Sequence, residues 1–187
     1  MSKLQRLTFS SLLISISLIL SKIEFSLFFP FGGSVTLFSL VPLIIISSKF
    51  GYRWGACCGA ILGILHLITT NLKFQGFNIF SIIISIFLDY IISYTIIGFF
   101  SYFVSKLKKT KYKLYISFIY VFILKFGVHV LSGIIVWSPF FKKNFIQGLV
   151  YSVLYNLSYL GPELIINILG LCIFKKLFYN LIKNRED

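Results

Sequence analysis

The sequence predicts an all-α integral membrane protein of six transmembrane helices, both termini cytoplasmic, folded as a single substrate-binding domain over residues 1–187. Three observations carry that reading. Hydrophobic residues make up 58% of the chain and charged ones 12%, with mean hydropathy +0.93, where a soluble domain is about 25% charged. The apolar residues gather into six runs, near 7–28, 35–49, 54–71, 77–104, 114–137 and 145–174. A membrane-crossing helix needs about 20 residues, so six crossings leave little chain for a soluble domain. The basic residues then orient the runs. Threading the chain from a cytoplasmic N-terminus places thirteen lysines and arginines inside and three, Lys73, Lys142 and Lys143, outside. An excess of that size on one side sets the cytoplasmic face.

The net charge of +13 does not point to nucleic acid, because the lysines interrupt apolar runs instead of forming a basic face. The first run begins after Lys3 and Arg6 and reads as a span, since no small-residue cleavage site follows it. On it Ser11 and Ser15 stand four residues apart, a small-residue spacing that permits close contact with another helix, inside the protein or on a partner. The second run is short, and Pro42 bends or breaks it. The third carries the adjacent Cys57 and Cys58, read as small packing residues, and His66, read as a packed, hydrogen-bonded histidine near Thr69 and Thr70. The cysteines show no metal-ligand spacing, and no metal is expected.

The fourth run holds Asp89. Glu24, Asp89 and Glu163 are the only acids before the C-terminal tail, and a carboxylate in lipid needs a partner or a ligand. Two readings are open: a ligand carboxylate, or an ion pair with Lys125. In the fifth run His129, Gly133 and Trp137 recur at i, i+4 and i+8, along one side of a helix. Trp137 could equally be an interfacial belt residue. Tyr151, Ser152, Tyr155 and Asn156 open the sixth run after a short basic loop. Glu163, after Pro162, reads as structural, pairing with Lys125 or with a backbone donor freed by the proline. Two adjacent helices thus bring aromatic and hydrogen-bonding groups to similar depth near the outer face, the pattern of a small-molecule pocket. No G-x-x-x-x-G-K-[ST], H-E-x-x-H or serine-nucleophile motif is present, so neither ATP hydrolysis nor an intramembrane enzyme is expected, and no cofactor is implied.

Four stretches, taken together, resemble a known family: FPFGGSVTLFSLVPLIIISSKFGYRWG (Phe29–Gly55), FLDY (Phe87–Tyr90), LKFGVHVLSGIIVW (Leu124–Trp137) and YSVLYNLSYLGPE (Tyr151–Glu163). Their order and spacing resemble the thiamine-binding S components of energy-coupling factor (ECF) transporters, over nearly the whole chain. The resemblance implies a multi-pass protein of the bacterial plasma membrane that captures thiamine from outside. Its partners would be a transmembrane T component and two cytoplasmic ATPases. It also implies ligand contacts from residues matching Asp89, Tyr90, His129, Gly133, Trp137, Tyr151 and Asn156, and docking of the first helix, at Ser11 and Ser15, on the T component. Family members carry glutamate where this chain has Asp89, one methylene shorter. Thiamine suits such residues. Its thiazolium is a permanent cation, attracted to aromatic faces such as Trp137, Tyr90 and Tyr151, and its aminopyrimidine pairs with a carboxylate. Gly32 and Gly33 would sit in an external loop over the pocket, with Phe29 and Phe31 as the aromatic candidates for a lid. An S component for a different vitamin or small cation is the rival reading, since fold does not fix the ligand. A non-transport membrane protein such as a channel would have no need of polar groups converging at one end.

Overall fold

The computed structural model describes residues 2–25, 33–70, 78–107, 112–137 and 145–186. Among the described residues five stretches of helix are long and apolar enough to cross a membrane: α1 (Lys3–Ser21), α3 (Tyr52–Thr69), the segment Ile79–Lys106, α7 (Lys113–Trp137) and α8 (Phe145–Ile173). Ser2 starts α1 with a capping box, its hydroxyl accepting from the Gln5 backbone while the Gln5 side chain accepts from the Ser2 N–H. Large apolar side chains such as Ile68, Ile79, Ile146 and Ile173 are exposed along these helices, as expected of surfaces that meet lipid.

The second apolar run departs from the six-helix expectation. Only α2 (Val41–Phe50) is helical there, and its 10 residues reach about 15 Å. Upstream, Val35–Thr36 (β2) pairs antiparallel with Glu24–Phe25 (β1), a two-stranded element absent from the sequence reading. Pro42 marks a break in the run, at the start of its helical part. It occupies the first turn, where its missing N–H leaves no bond unmade, and so begins it. The segment nevertheless runs beside much of α1. Ser17 donates to the Ser39 carbonyl at one end, and the Arg6 guanidinium donates to the Phe50 carbonyl at the other, 3.5 Å away.

The segment Ile79–Lys106 is not a uniform helix. Asn78 caps its first turn by accepting from the Ser81 N–H at 2.8 Å. It then runs as α4 (Ile79–Ser85), a π-helical turn (Ile86–Ile92), α5 (Ser93–Gly98) and α6 (Phe100–Lys106). Wide turns of this kind are rare and cluster at functional sites. Asp89 and Tyr90 lie within it.

Close backbone approach locks α3 to this segment. A Cβ at Gly59 or Gly63 would collide with the main-chain carbonyls of Tyr94 and Tyr90 respectively, so these positions admit no side chain without movement of the helices. Cys58 is buried in this region, but Cys57 is exposed, which corrects the packing role expected for it. Leu40, Leu43, Ile44, Ile46, Ile97, Phe100 and Phe118 are wholly buried and form the heart of the core around α2. After α8 the chain forms α9 (Lys175–Glu186), an amphipathic helix that buries Phe178 and Ile182 and packs on α2. The sequence reading left those residues in a tail.

Candidate functional site

One face of α7 presents Lys125, His129 and Ser132 at helical spacing, and two acids from other elements meet it. The π turn aims Asp89 at the His129 level. Asp89 Oδ1 lies 3.0 Å from His129 Nδ1, and Ser132 donates to Asp89 Oδ2 at 2.6 Å. Ser93, one turn beyond Asp89, is 3.1 Å from His129 Nε2. An N–H on Nδ1 donates to Asp89, and Nε2 on the other side of the ring meets the Ser93 hydroxyl.

From α8, Asn156 enters the same cluster. Its amide donates to the Ser152 carbonyl at 2.8 Å, and its Oδ1 accepts from the Tyr159 hydroxyl at 2.5 Å. Tyr159 in turn approaches His129 Nδ1 at 3.4 Å. Ser152 donates to the Val130 carbonyl at 2.9 Å, which ties α8 to α7. Gly133 makes that contact possible, because a Cβ there would run into the Ser152 hydroxyl. The seam between α7 and α8 is thus closed by hydrogen bonds and a missing side chain, and the polar cluster sits beside it.

The remaining expected residues fall around this centre. Tyr151 stacks on Tyr155 with ring centroids 6.0 Å apart and planes 8° from parallel, one turn before Asn156. Tyr90 turns towards α3, its ring 5.9 Å from that of His66. His66 also packs on Tyr94 and meets the Thr70 hydroxyl at 3.4 Å, as its packed, hydrogen-bonded reading requires. Trp137 ends α7, and its side chain lies outside the described residues, as do Phe29, Phe31 and Gly32. Gly33 is described, and its N–H donates to the Tyr155 hydroxyl at 3.1 Å, placing the chain after the loop against α8. Ser11 and Ser15 are exposed, and their hydroxyls donate to carbonyls of α1 itself, leaving a low, polar-satisfied strip on its outer surface.

The structure overturns the pairing of Asp89 with Lys125. Lys125 Nζ is 3.0 Å from Glu163 Oε2, with the two side chains only 5% and 6% exposed. Thr36 donates to the other Glu163 oxygen at 3.0 Å and also meets Ser39. Asn167, one turn on, accepts from the Leu40 N–H at 3.3 Å. This second network joins α7, α8, β2 and the start of α2, and it uses up the charge that Asp89 would have needed. The Asp89–His129 pair is more open, at 25% and 12% exposure. Three members of the site were missed in the sequence: Ser93, Ser132 and Tyr159. Helical spacing from Asp89, His129 and Asn156 was the available signal, at i+4 for Ser93 and i+3 for Ser132 and Tyr159. Among the described residues no three His, Cys, Asp or Glu side chains gather to hold a metal ion.

A partly open carboxylate, an imidazole, an amide and several phenols, set among lipid-facing helices, define a multi-pass membrane protein built to hold a small polar molecule. Comparison with known proteins specifies it further. The chain belongs to the thiamine transporter protein family, whose profile matches residues 7–183. The thiamine transporter ThiT of Bacillus subtilis is 31% identical over 164 residues, which cover 83% of this chain and 81% of that protein. The solved structure of ThiT from Listeria monocytogenes superposes with a TM-score of 0.72 over 96% of this chain and 98% of that one, at 17% identity, a likeness of fold. The family is one of membrane transport proteins and not of enzymes.

Proposed function

We propose that this chain captures thiamine outside a bacterial cell and delivers it inward as the substrate-specific component of an ECF transporter. The observation that carries the reading is a partly exposed carboxylate, Asp89, set in the polar cluster of α7 and α8 in a chain of the thiamine transporter family. Asp89 brings a carboxylate to the pocket centre, the complement of a thiazolium cation. Lys125 and Glu163 cancel each other below it.

Each residue then has a task. An ionised carboxylate offers about four lone-pair sites, and Ser132 and His129 occupy two, so Asp89 keeps capacity for the aminopyrimidine amine. His129 and Asn156 offer polar edges, and Gly133 holds α8 close enough for Asn156 to take part. Tyr90, Tyr151 and Trp137 supply faces for the cationic ring. The chain makes six passes, α2 with its extended approach being the second, as one domain with both termini in the cytoplasm. Ser11 and Ser15 form the strip on α1 that docks on the T component, and the ATPases are separate chains.

The test is binding by purified, detergent-solubilised protein. Thiamine should quench Trp137 emission, Trp54 should be indifferent, and Trp137→Phe should remove the quenching. A folded protein with no calorimetric heat for thiamine and no quenching would overturn the assignment.

A further inference from the structure

At the end of the helices that carries the N-terminus, two cations, Arg6 and Lys49, gather on aromatic rings, and among the described residues no acid pairs with either. The Arg6 guanidinium lies 3.9 Å from the centroid of the Trp54 ring and 5.2 Å from that of Phe50. Trp54 is held in place, its indole N–H donating to Ser10 at 2.9 Å. Lys49 Nζ sits 4.5 Å from the Phe9 centroid and 5.9 Å from that of Phe50, so two cations share one ring. Phe9 and Phe50 meet edge to face at 5.7 Å, which makes the platform continuous. Arg53 and Lys3 are exposed alongside.

Arg6 is strongly under-used. A guanidinium has five N–H donors, yet its one hydrogen bond is the long contact to the Phe50 carbonyl, and its Nε is buried with no acceptor. Among the described residues the acid–base contacts are Lys125–Glu163 and His129–Asp89, both elsewhere. Two cations held against one ring repel each other unless an anion lies between them. Leu7, next to Arg6 in the chain, is exposed at 55% on the adjoining flank of α1.

We propose that Arg6, Lys49 and the Phe9–Phe50–Trp54 platform form a binding site for the phosphate of an anionic phospholipid. The phosphate bridges the two cations, the guanidinium binding it through the planar fork suited to that geometry. The acyl chains run down the flank of α1 past Leu7. The tether to acyl chains distinguishes this ligand from a soluble phosphate, which would gain nothing from an apolar flank.

The experiment is native mass spectrometry of the purified full chain with phosphatidylglycerol and phosphatidylcholine of identical acyl chains. Phosphatidylglycerol should be retained at least ten-fold better, and Arg6→Gln combined with Lys49→Gln should abolish the preference while thiamine binding persists. In Trp137→Phe protein, where Trp54 is the only emitter, phosphatidylglycerol with brominated chains should quench more than the brominated phosphatidylcholine. That readout needs no change at the site and stands even where the double variant fails to fold. Equal retention of the two lipids, equal quenching, or a preference that survives the double variant would overturn the site. Displacement of phosphatidylglycerol by millimolar inorganic phosphate would overturn the lipid as its occupant.

Discussion

Asp89 and Glu163 are both carboxylates inside the helical bundle, and both find a basic partner on the same face of α7, at 3.0 Å in each case. Their surroundings separate them. Glu163 faces a lysine, is closed off on all sides, and has both oxygens occupied by Lys125 and Thr36. Asp89 faces a histidine, is a quarter exposed, and takes its other hydrogen bond from Ser132. The first pair fastens elements together, whereas the second is where the proposed function puts the ligand. An acid in a membrane helix therefore declares its role by its partner and exposure more than by its presence.

The comparison can be broken at the fastening first. Glu163→Gln leaves Lys125 charged and buried without a counter-ion, and losing one member of such a pair costs about 3–5 kcal/mol. Thermal unfolding in detergent should show that loss, and adding Lys125→Met should recover most of it. If the single variant melts as the wild type does, the network is not a fastening.

Asp89→Asn should act in the opposite register. Stability should change little, since Ser132 and His129 can still bond an amide, but thiamine affinity should fall about ten- to hundred-fold by calorimetry, the worth of a charge-assisted hydrogen bond at about 1.5–3 kcal/mol. Asp89→Glu should keep much of the binding. Unchanged affinity in folded Asp89→Asn protein would make this carboxylate structural too, and the two acids alike.

Gly133→Ala sharpens the contrast from the side of packing. The new methyl meets Ser152, and relieving that overlap should cost about 1–3 kcal/mol of stability. Because Asn156 moves with α8, affinity should drop as well, whereas a change at the Glu163 network should lower stability alone. A variant that loses stability with unaltered affinity would detach Gly133 from the site.

The long apolar runs gave the membrane class and most of the helices directly, because twenty apolar residues have few other uses. The local exceptions were not legible. Residues 35–40 are as apolar as a helix, yet Thr36 and the Leu40 N–H are spoken for by Glu163 and Asn167, partners more than a hundred residues away. Ile86–Ile92 reads as an ordinary apolar stretch, and nothing in its composition announces a wider turn. At the site, the spacing of His129 and Gly133 and the position of Asp89 were visible, but which base each acid takes was not. Lys125 and His129 share one face of α7, so the choice depends on the depth at which Asp89 and Glu163 arrive from other elements.

The widened turn has a consequence for how this helix can change over time. A π turn accommodates one residue more than α-helical winding would, so it acts as a phase correction between the two halves of the segment. Deleting a single residue within Ile86–Ile92 would let α-helical winding run through with Ser81 and Ser85 keeping their angle to Tyr94 and Ile97, because the wide turn absorbs that one residue. The seats of the two halves against α7 and against the glycines of α3 would survive. What would change is the direction of Asp89 and Tyr90, so the extra residue serves to aim those two side chains.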